Sequence, residues 1–317
     1  MIKILNKVLE KILVYNSLLK EYFFEIFYSQ PLIYYLDDLM VKIGKRYVLK
    51  NILGFKMILD LKDKGACRDL YHYGMREIES VNIYKNFLKK EDIVLDIGSN
   101  IGYYVLIASR ATDKKIYAIE PDPRSLELLI ANIKINGLEE RVEIYNIAIG
   151  EKKGKAKLFQ DNGYNWSRIA KGTEKGLYVK MTTLDDFLYN KKVSCLRFDL
   201  EGYEYFLLKG AQNTLQKKIK IFMEVHPFLI KEYGGKLEEM FEMLKDFTIK
   251  YYVLPEKNFF KNKSIMSLFI SSLKGRVKTP WKAFNSTRTI SEILLDRKMM
   301  KVFTETDWYH LFLEKTD

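Results

Sequence analysis

The chain has 317 residues, 48% hydrophobic and 30% charged, enough for one large core with appendages. Its net charge of +12 draws it toward anions, or describes no more than a basic solvated surface. The two cysteines, Cys67 and Cys195, have no C-x-x-C partners, which speaks against a disulfide framework, a zinc site and dithiol redox chemistry and makes the cell interior the expected compartment.

In chain order, residues 1–40 read as an amphipathic helical stretch interrupted by a lysine or glutamate every few residues. The longest uncharged run within that segment, 26–36, contains Pro31 and is too short to span a bilayer. No signal-peptide cleavage site is evident. Such a segment docks on the main domain or lies on a membrane surface, with lysines beside Leu, Phe and Tyr. A cytoplasmic chain with peripheral membrane contact through residues 1–40 is the expectation. Residues 41–75, containing "RYVLKNILGFKMILDL", alternate apolar and polar as short strands do and complete an N-terminal extension, 1–75.

"GMREIESVNIYKNFLKK" predicts a helix leading into the core. Strand "DIVLDIG" then precedes helix "IGYYVLIASRA", and strand "KIYAIEP" precedes helix "PRSLELLIANIKINGL", which opens at proline and closes at glycine. Strand "VEIYNIAIG" follows. "GKAKLFQ" and "GLYVKMTTL" flank a polar, glycine-containing loop and predict an inserted β-hairpin, about 154–183. Strand "SCLRFDLEG", helix "EYFLLKGAQNTLQ", strand "KIKIFMEVHP", helix "KLEEMFEMLKDF" and strands "TIKYYVLP" and "SIMSLFISS" complete a body over 76–273. Residues 274–317 read as a basic C-terminal extension with helices. Strands alternating with helices imply an α/β, doubly wound, mostly parallel sheet with right-handed crossovers. Ligands then sit at the carboxyl ends of the strands.

The first such tip carries Asp96, Gly98, Asn100 and Gly102. A dinucleotide fingerprint needs glycine at 98, 100 and 103, but Asn100 and Tyr103 break it, and no G-K-[ST] follows. Asp96 would repel a pyrophosphate and suit a cation. S-adenosylmethionine carries an ammonium and a sulfonium and no phosphate. The alternative is an ordinary strand-turn-helix with a capping aspartate. Glu120, at the second tip before Pro121, lies about 20 positions past the first glycine, where an acid accepts from ribose hydroxyls. Asn146 and Ala148 at the third tip could line an adenine pocket.

The fourth tip, "RFDLEGYE", holds Asp199, Glu201 and Glu204, and the fifth, "MEVHP", holds Glu224 and His226. Carboxylates suit a hydroxylated substrate, which they orient or help deprotonate. Asp199 and His226 are the candidate bases, with Glu201 and Glu204 orienting substrate. Asp199, Glu224 and His226 form an alternative divalent-ion set, although no metal is expected. Tyr164, Asn165 and Trp166 in the hairpin loop could cover a sugar ring.

"VLDIGSNIGYYVLIASR", "IYAIEPDPRSLELLIANIKINGL", "TTLDDFL", "RFDLEGYEYFLLKGAQNTL" and "IFMEVHP" together resemble the FkbM family of S-adenosylmethionine-dependent methyltransferases, over about residues 76–256. Ser99 stands where the family has alanine. Asp199, Glu201, Gly202 and Glu204 satisfy its Asp-x-Glu-Gly-x-Glu motif. The resemblance implies a class I methyltransferase, Rossmann-like fold. It also implies that Asp96, Gly98, Asn100 and Gly102 hold the cofactor's methionine end and Glu120 its ribose, and the full expected cofactor set is Glu77, Asp96, Gly98, Asn100, Gly102, Tyr103, Glu120, Pro121, Asn146, Ala148 and Asp199. The implied reaction is O-methylation of a hydroxylated glycan, glycolipid or small molecule. RNA methylation is the alternative, favoured by the net charge, but the carboxylate cluster would repel phosphate.

Overall fold

The structure is a computed structural model that describes residues 31–160, 167–255 and 281–315. Most of the amphipathic N-terminus, the expected strand "SIMSLFISS" and Tyr164, Asn165 and Trp166 lie outside the described residues. The described part of the N-terminus, Pro31–Lys42, is helical.

Tyr47–Ile52 (β1) and Phe55–Asp60 (β2) form an antiparallel hairpin. Leu53 at φ 50 and Gly54 at φ 86 supply the two positive-φ positions that match a tight turn to strand twist. The strand expectation fails further on, because Ala66–Tyr73 is a helix. Asp63 caps its start, accepting from the amides of Gly65 and Cys67 at 2.9 and 2.8 Å. Ala66, Cys67, Leu70 and Tyr73 recur on one buried face, and Gly74 at φ 73 closes the last turn.

The expected alternation then appears. Helix Ile78–Phe87 leads to Val94–Ile97 (β3), helix Tyr103–Ala111, Ile116–Ile119 (β4), helix Pro123–Ile135 and Val142–Tyr145 (β5). Ala148–Ile149 (β6), Gly154–Phe159 (β7), Arg168–Ile169 (β8) and Leu177–Thr182 (β9) make a separate four-stranded sheet, order β6-β9-β7-β8. The expected hairpin is its β7–β9 pair, antiparallel from Gly154↔Met181 to Leu158↔Leu177. Cys195–Phe198 (β10), Lys220–Val225 (β11) and Phe247–Pro255 (β12) return to the main sheet, with Trp281–Asn285 (β13) and Tyr309–Lys315 (β14).

The main sheet has the order β13-β12-β14-β11-β10-β3-β4-β5. From β11 to β5 it is parallel, and strand order reverses between β3 and β10. That is the class I methyltransferase arrangement, and the switch point is where such folds bind ligands. Successive residues enter opposite cores: Leu95 and Ile97 pack on one face, Val94 and Cys195 on the other.

The C-terminal segment is not the appendage expected over 274–317. Strand β14 inserts between β11 and β12, antiparallel to both. Its first five residues, Tyr309 to Leu313, are all buried, so it has no polar face to show water and belongs inside a sheet covered on both sides. Helices Ile290–Leu295 and Arg297–Glu305 bury Ile290, Ile293 and Phe303 in the same core.

Candidate active site

Side chains alternate faces along a strand. On one face of the main sheet the register aligns Asp96 with Arg197, Arg197 with Phe222, and Phe222 with Phe312. The two phenylalanine rings stack, 4.3 Å apart and 7° from parallel. Arg197 lies over the Tyr104 ring at 4.4 Å. One pleat nearer the carboxyl edge, the same parity places Gly98, Asp199, Glu224 and His310. A floor of stacked rings and one buried ion pair thus carries a polar rim.

The pocket above this floor is bounded by the 98–101 turn, Glu120, the Arg76–Glu77 segment, Tyr103 and Tyr104, and by Arg197, Asp199, Glu201 and Glu224. Gly98 has φ +76, and a Cβ there would lie 2.2 Å from the Asp199 carbonyl oxygen. Only glycine meets both constraints. The Asn100 amide donates to Glu120 Oε2 at 2.8 Å and the Asp122 amide to Oε1 at 2.7 Å. Burial nevertheless raises the Glu120 carboxyl to about 8.

The Arg76–Glu77 segment is pinned from beneath. Tyr103 Oη accepts from the Arg76 amide at 3.1 Å and donates to the Arg76 carbonyl at 3.0 Å. Tyr104 Oη donates to Glu77 Oε2 at 2.7 Å. Glu77, Asn100 and Glu201 have φ of 49, 50 and 51, and all three line the pocket. Left-handed backbone at non-glycine residues costs on the order of 1 kcal/mol each and concentrates at functional sites.

The expected site residues divide. Glu77, Gly98, Asn100, Tyr103, Glu120, Asp199 and Glu201 meet around the pocket. Asp96 does not face it. Its side chain is 1% exposed and lies 3.3 Å from Arg197 Nη1, so it cannot attract a ligand's positive group directly. Arg197 spans to Asp199 as well, with Nη2 3.1 Å from Oδ2. Asp199 therefore takes the rim position that Asp96 was expected to hold, and its Oδ1 is buried without a hydrogen bond.

Gly102 stands behind the turn, where a Cβ would press on Leu129. Pro121 is not in the lining. Asn146, exposed, donates to the carbonyls of Glu120 and Pro121 at 2.9 and 3.1 Å. Ala148 packs in the small sheet's core with Leu158 and Val179. These two residues brace the Glu120 tip and the small sheet rather than line the pocket.

Glu204 and His226 also lie outside the lining. The Glu204 side chain is fully buried. Its Oε1 accepts from the amides of Gly202 and Leu200 at 3.1 and 3.3 Å and lies 3.1 Å from His226 Nδ1. It latches the 200–204 loop and is in no position to orient substrate. His226 Nε2 lies 3.4 Å from Glu224 and 3.5 Å from Glu201. Burial opposes charge on the ring, but hydrogen bonds to Glu204 and Glu224 outweigh it and raise the imidazole well above 6.5. That direction favours the charged ring, the form that does not act as the expected base.

The carboxyls on the rim respond differently. Burial, reinforced by Glu224, raises Asp199 well above 3.8. Burial lifts Glu201 to about 7 against the pull of the His226 charge. Glu224 is buried too, yet His310 and His226 hold it well below 4.5. Asp199, Glu224 and His226 do converge as the alternative ion set required, with ligand atoms within 4.8 Å of one another.

Arg76, Arg197, Tyr104 and His310 were missed by the sequence reading. Arg197 carried a legible signal. A charged residue in a strand buried on both faces needs an opposite charge beside it, and Asp96 is its neighbour in register. His310 follows the same logic within "YHLFL".

Residues 96–251 match the profile of the methyltransferase FkbM domain. Among curated proteins, the chain is 27% identical over 147 residues to the hexuronic acid methyltransferase AglP of Haloferax volcanii, covering 44% of this chain and 57% of that one. It is 28% identical over 204 residues to the ribosomal protein L11 methyltransferase of Thermoanaerobacter sp., covering 61% and 58%. It is 33% identical over 79 residues to a tRNA (guanine(37)-N(1))-methyltransferase of Dictyostelium discoideum, covering 25% and 17%. The chain thus spans less than two thirds of each relative's length. Among the described residues no helix is long and apolar enough to cross a membrane.

Proposed function

From the premise that this chain belongs to the FkbM methyltransferases through residues 96–251, we propose that it methylates a hydroxyl oxygen of a glycan, glycolipid or similar small molecule, with S-adenosylmethionine as donor. The observation that carries this reading is the convergence of Asp199, Glu201 and Glu224 on a pocket that also contains the Gly98 turn and Glu120. Carboxylates outnumber guanidiniums in that lining, which favours a cationic donor and a hydroxylated acceptor over a phosphate.

The residues present fit the cofactor. The Gly98 turn packs directly on the Asp199 carbonyl, with no room for a Cβ, which brings the turn and Asp199 together at the pocket. Each Glu120 oxygen spends one lone pair on a backbone amide and keeps another for a ribose hydroxyl. The buried, unbonded Asp199 Oδ1 is an acceptor awaiting a donor. When bound, the donor supplies a methyl carbon made electrophilic by a positive sulfur.

The acceptor oxygen must lose its proton, and Glu201 is the best-tuned base. At about 7 its carboxyl is half ionised at neutral pH, where a general base is most effective. His226, as a cation beside it, steadies the ionised form. Asp199, held by Arg197, orients the acceptor. Alignment supplies most of the acceleration, since effective molarities reach about 10⁵ M or more.

The test is incubation with methyl-labelled S-adenosylmethionine and, separately, a uronic-acid-containing oligosaccharide, total RNA and ribosomal protein. Label in the saccharide that survives alkali is a methyl ether and supports the reading, whereas alkali-labile label marks a carboxyl ester and corrects the acceptor atom. Label confined to RNA, which the net charge of +12 would favour, or to protein, overturns the acceptor class.

A further inference from the structure

Strands β11 and β14 pair Glu224 with His310 in register. Among the described residues two groups of three could hold a metal ion, and both use Glu224. In each, Glu77–Glu224–His310 and Asp199–Glu224–His226, the ligand atoms lie within 4.8 Å of one another.

The second group has its histidine ringed by carboxylates on both sides. His226 Nδ1 meets Glu204 at 3.1 Å, and Nε2 faces Glu224 and Glu201 at 3.4 and 3.5 Å. The first group is different. His310 is 1% exposed. Its Nδ1 lies 2.5 Å from Ser80 Oγ, which fixes the ring from behind. Its Nε2 is buried, makes no hydrogen bond, and is aimed between Glu224 Oε2 at 3.3 Å and Glu77 Oε2 at 3.7 Å. A ring held through one nitrogen while the other faces carboxylates is how a protein presents a metal-binding imidazole. Ligands each roughly 2.0–2.2 Å from an ion stand about 3–4.4 Å apart around it, a range that holds both distances from His310 Nε2, 3.3 and 3.7 Å. Tyr104 Oη, donating to Glu77, orients the second carboxylate as an outer partner would.

We propose that Glu77, Glu224 and His310 form a divalent-cation site with open positions facing the pocket. One imidazole and two carboxylates suit Mn2+, Fe2+ or Zn2+. Glu77 and Glu224 belong to the pocket lining, and His310 stands behind them. An oxygen of the acceptor completes the coordination, which lowers the pKa of a bound hydroxyl. The acceptor is therefore a chelating one, with a second hydroxyl or a carboxylate beside the oxygen to be methylated. That role rests on the methyl-transfer reading, whereas binding of the ion does not.

The experiment strips the full chain with EDTA, titrates it with Mn2+ and follows free ion by electron paramagnetic resonance. The expected result is one ion per chain, with affinity lower on the order of 100-fold in His310→Gln and changed by less than about tenfold in His226→Gln, whose ring touches Glu224 without being a ligand. Spin-echo spectra of the wild-type and His226→Gln complexes should show a coordinated 14N nucleus, a readout that stands if His310→Gln does not fold. No bound ion, no nitrogen coupling in His226→Gln, or loss of binding in His226→Gln alone overturns the site. A bound ion together with no transfer to any saccharide leaves the site standing and removes only its assigned role.

Discussion

Arg197 Nη1 lies 3.3 Å from the carboxylate of Asp96, beneath the Gly98 turn. The acid at the tip of β3 therefore acts through a guanidinium and not on a ligand. Arg197 also donates to the Gly98 carbonyl at 3.1 Å and reaches Asp199, so one buried cation fixes the turn and the rim together.

Arg197→Met should lower stability by about 3–5 kcal/mol, because it leaves the Asp96 charge buried without a partner. Urea unfolding measures it. A loss under about 1 kcal/mol would show that the pair is not desolvated in solution.

Gly98→Ala combines a forbidden backbone angle with a 2.2 Å approach to the Asp199 carbonyl. Donor binding should fall at least tenfold and stability by more than about 1 kcal/mol. Calorimetry with S-adenosylmethionine checks the first and thermal unfolding the second. Wild-type affinity in this variant would mean that the ligand does not rest on the turn.

If Glu201 is the base, its carboxyl must be ionised to accept a proton. kcat/KM should then rise with pH and level off above about 7. Glu201→Gln should lose about 10²–10⁴ in rate and flatten that limb. An unchanged pH profile in the variant assigns the limb to another group.

Glu120 titrates at about 8 in the folded chain against an ordinary 4.5. Between those values the folded state holds a proton that the unfolded state has released, so stability falls as pH rises across that window. Glu120→Gln should remove that part of the slope, read as the unfolding free energy at pH 5, 6.5 and 8. Wild-type binding of the cationic donor favours the ionised carboxyl. It should release protons, visible as a binding heat that changes with the buffer's ionisation enthalpy.

The strand-helix alternation from Glu91 to Val253 and the pocket turn at Gly98 were legible because both depend on neighbours within a few residues. Alternate burial, a glycine at φ +76 and an acid at the next strand tip all leave local marks. The helix Ala66–Tyr73 was misread as strand because the alternation of the hairpin before it was carried across Asp63, whose side chain accepts from the Gly65 and Cys67 amides at the helix start. Glu204 was read as orienting substrate because an acid beside a strand tip does not reveal which way the loop turns it. Burial of Glu204 against two backbone amides is what made it a latch.

By itself the sequence determined an α/β sheet, the strand tips that could meet, and the residues of the family motif, since patterning with a period of two or of 3.6 and turn chemistry are local properties. The tertiary structure alone decided that β14 enters the sheet between β11 and β12, that His310 therefore faces Glu224, and that Arg197 covers Asp96. Strand order and register are set by which buried faces and edges meet across the whole chain, and no window of neighbouring residues contains that information.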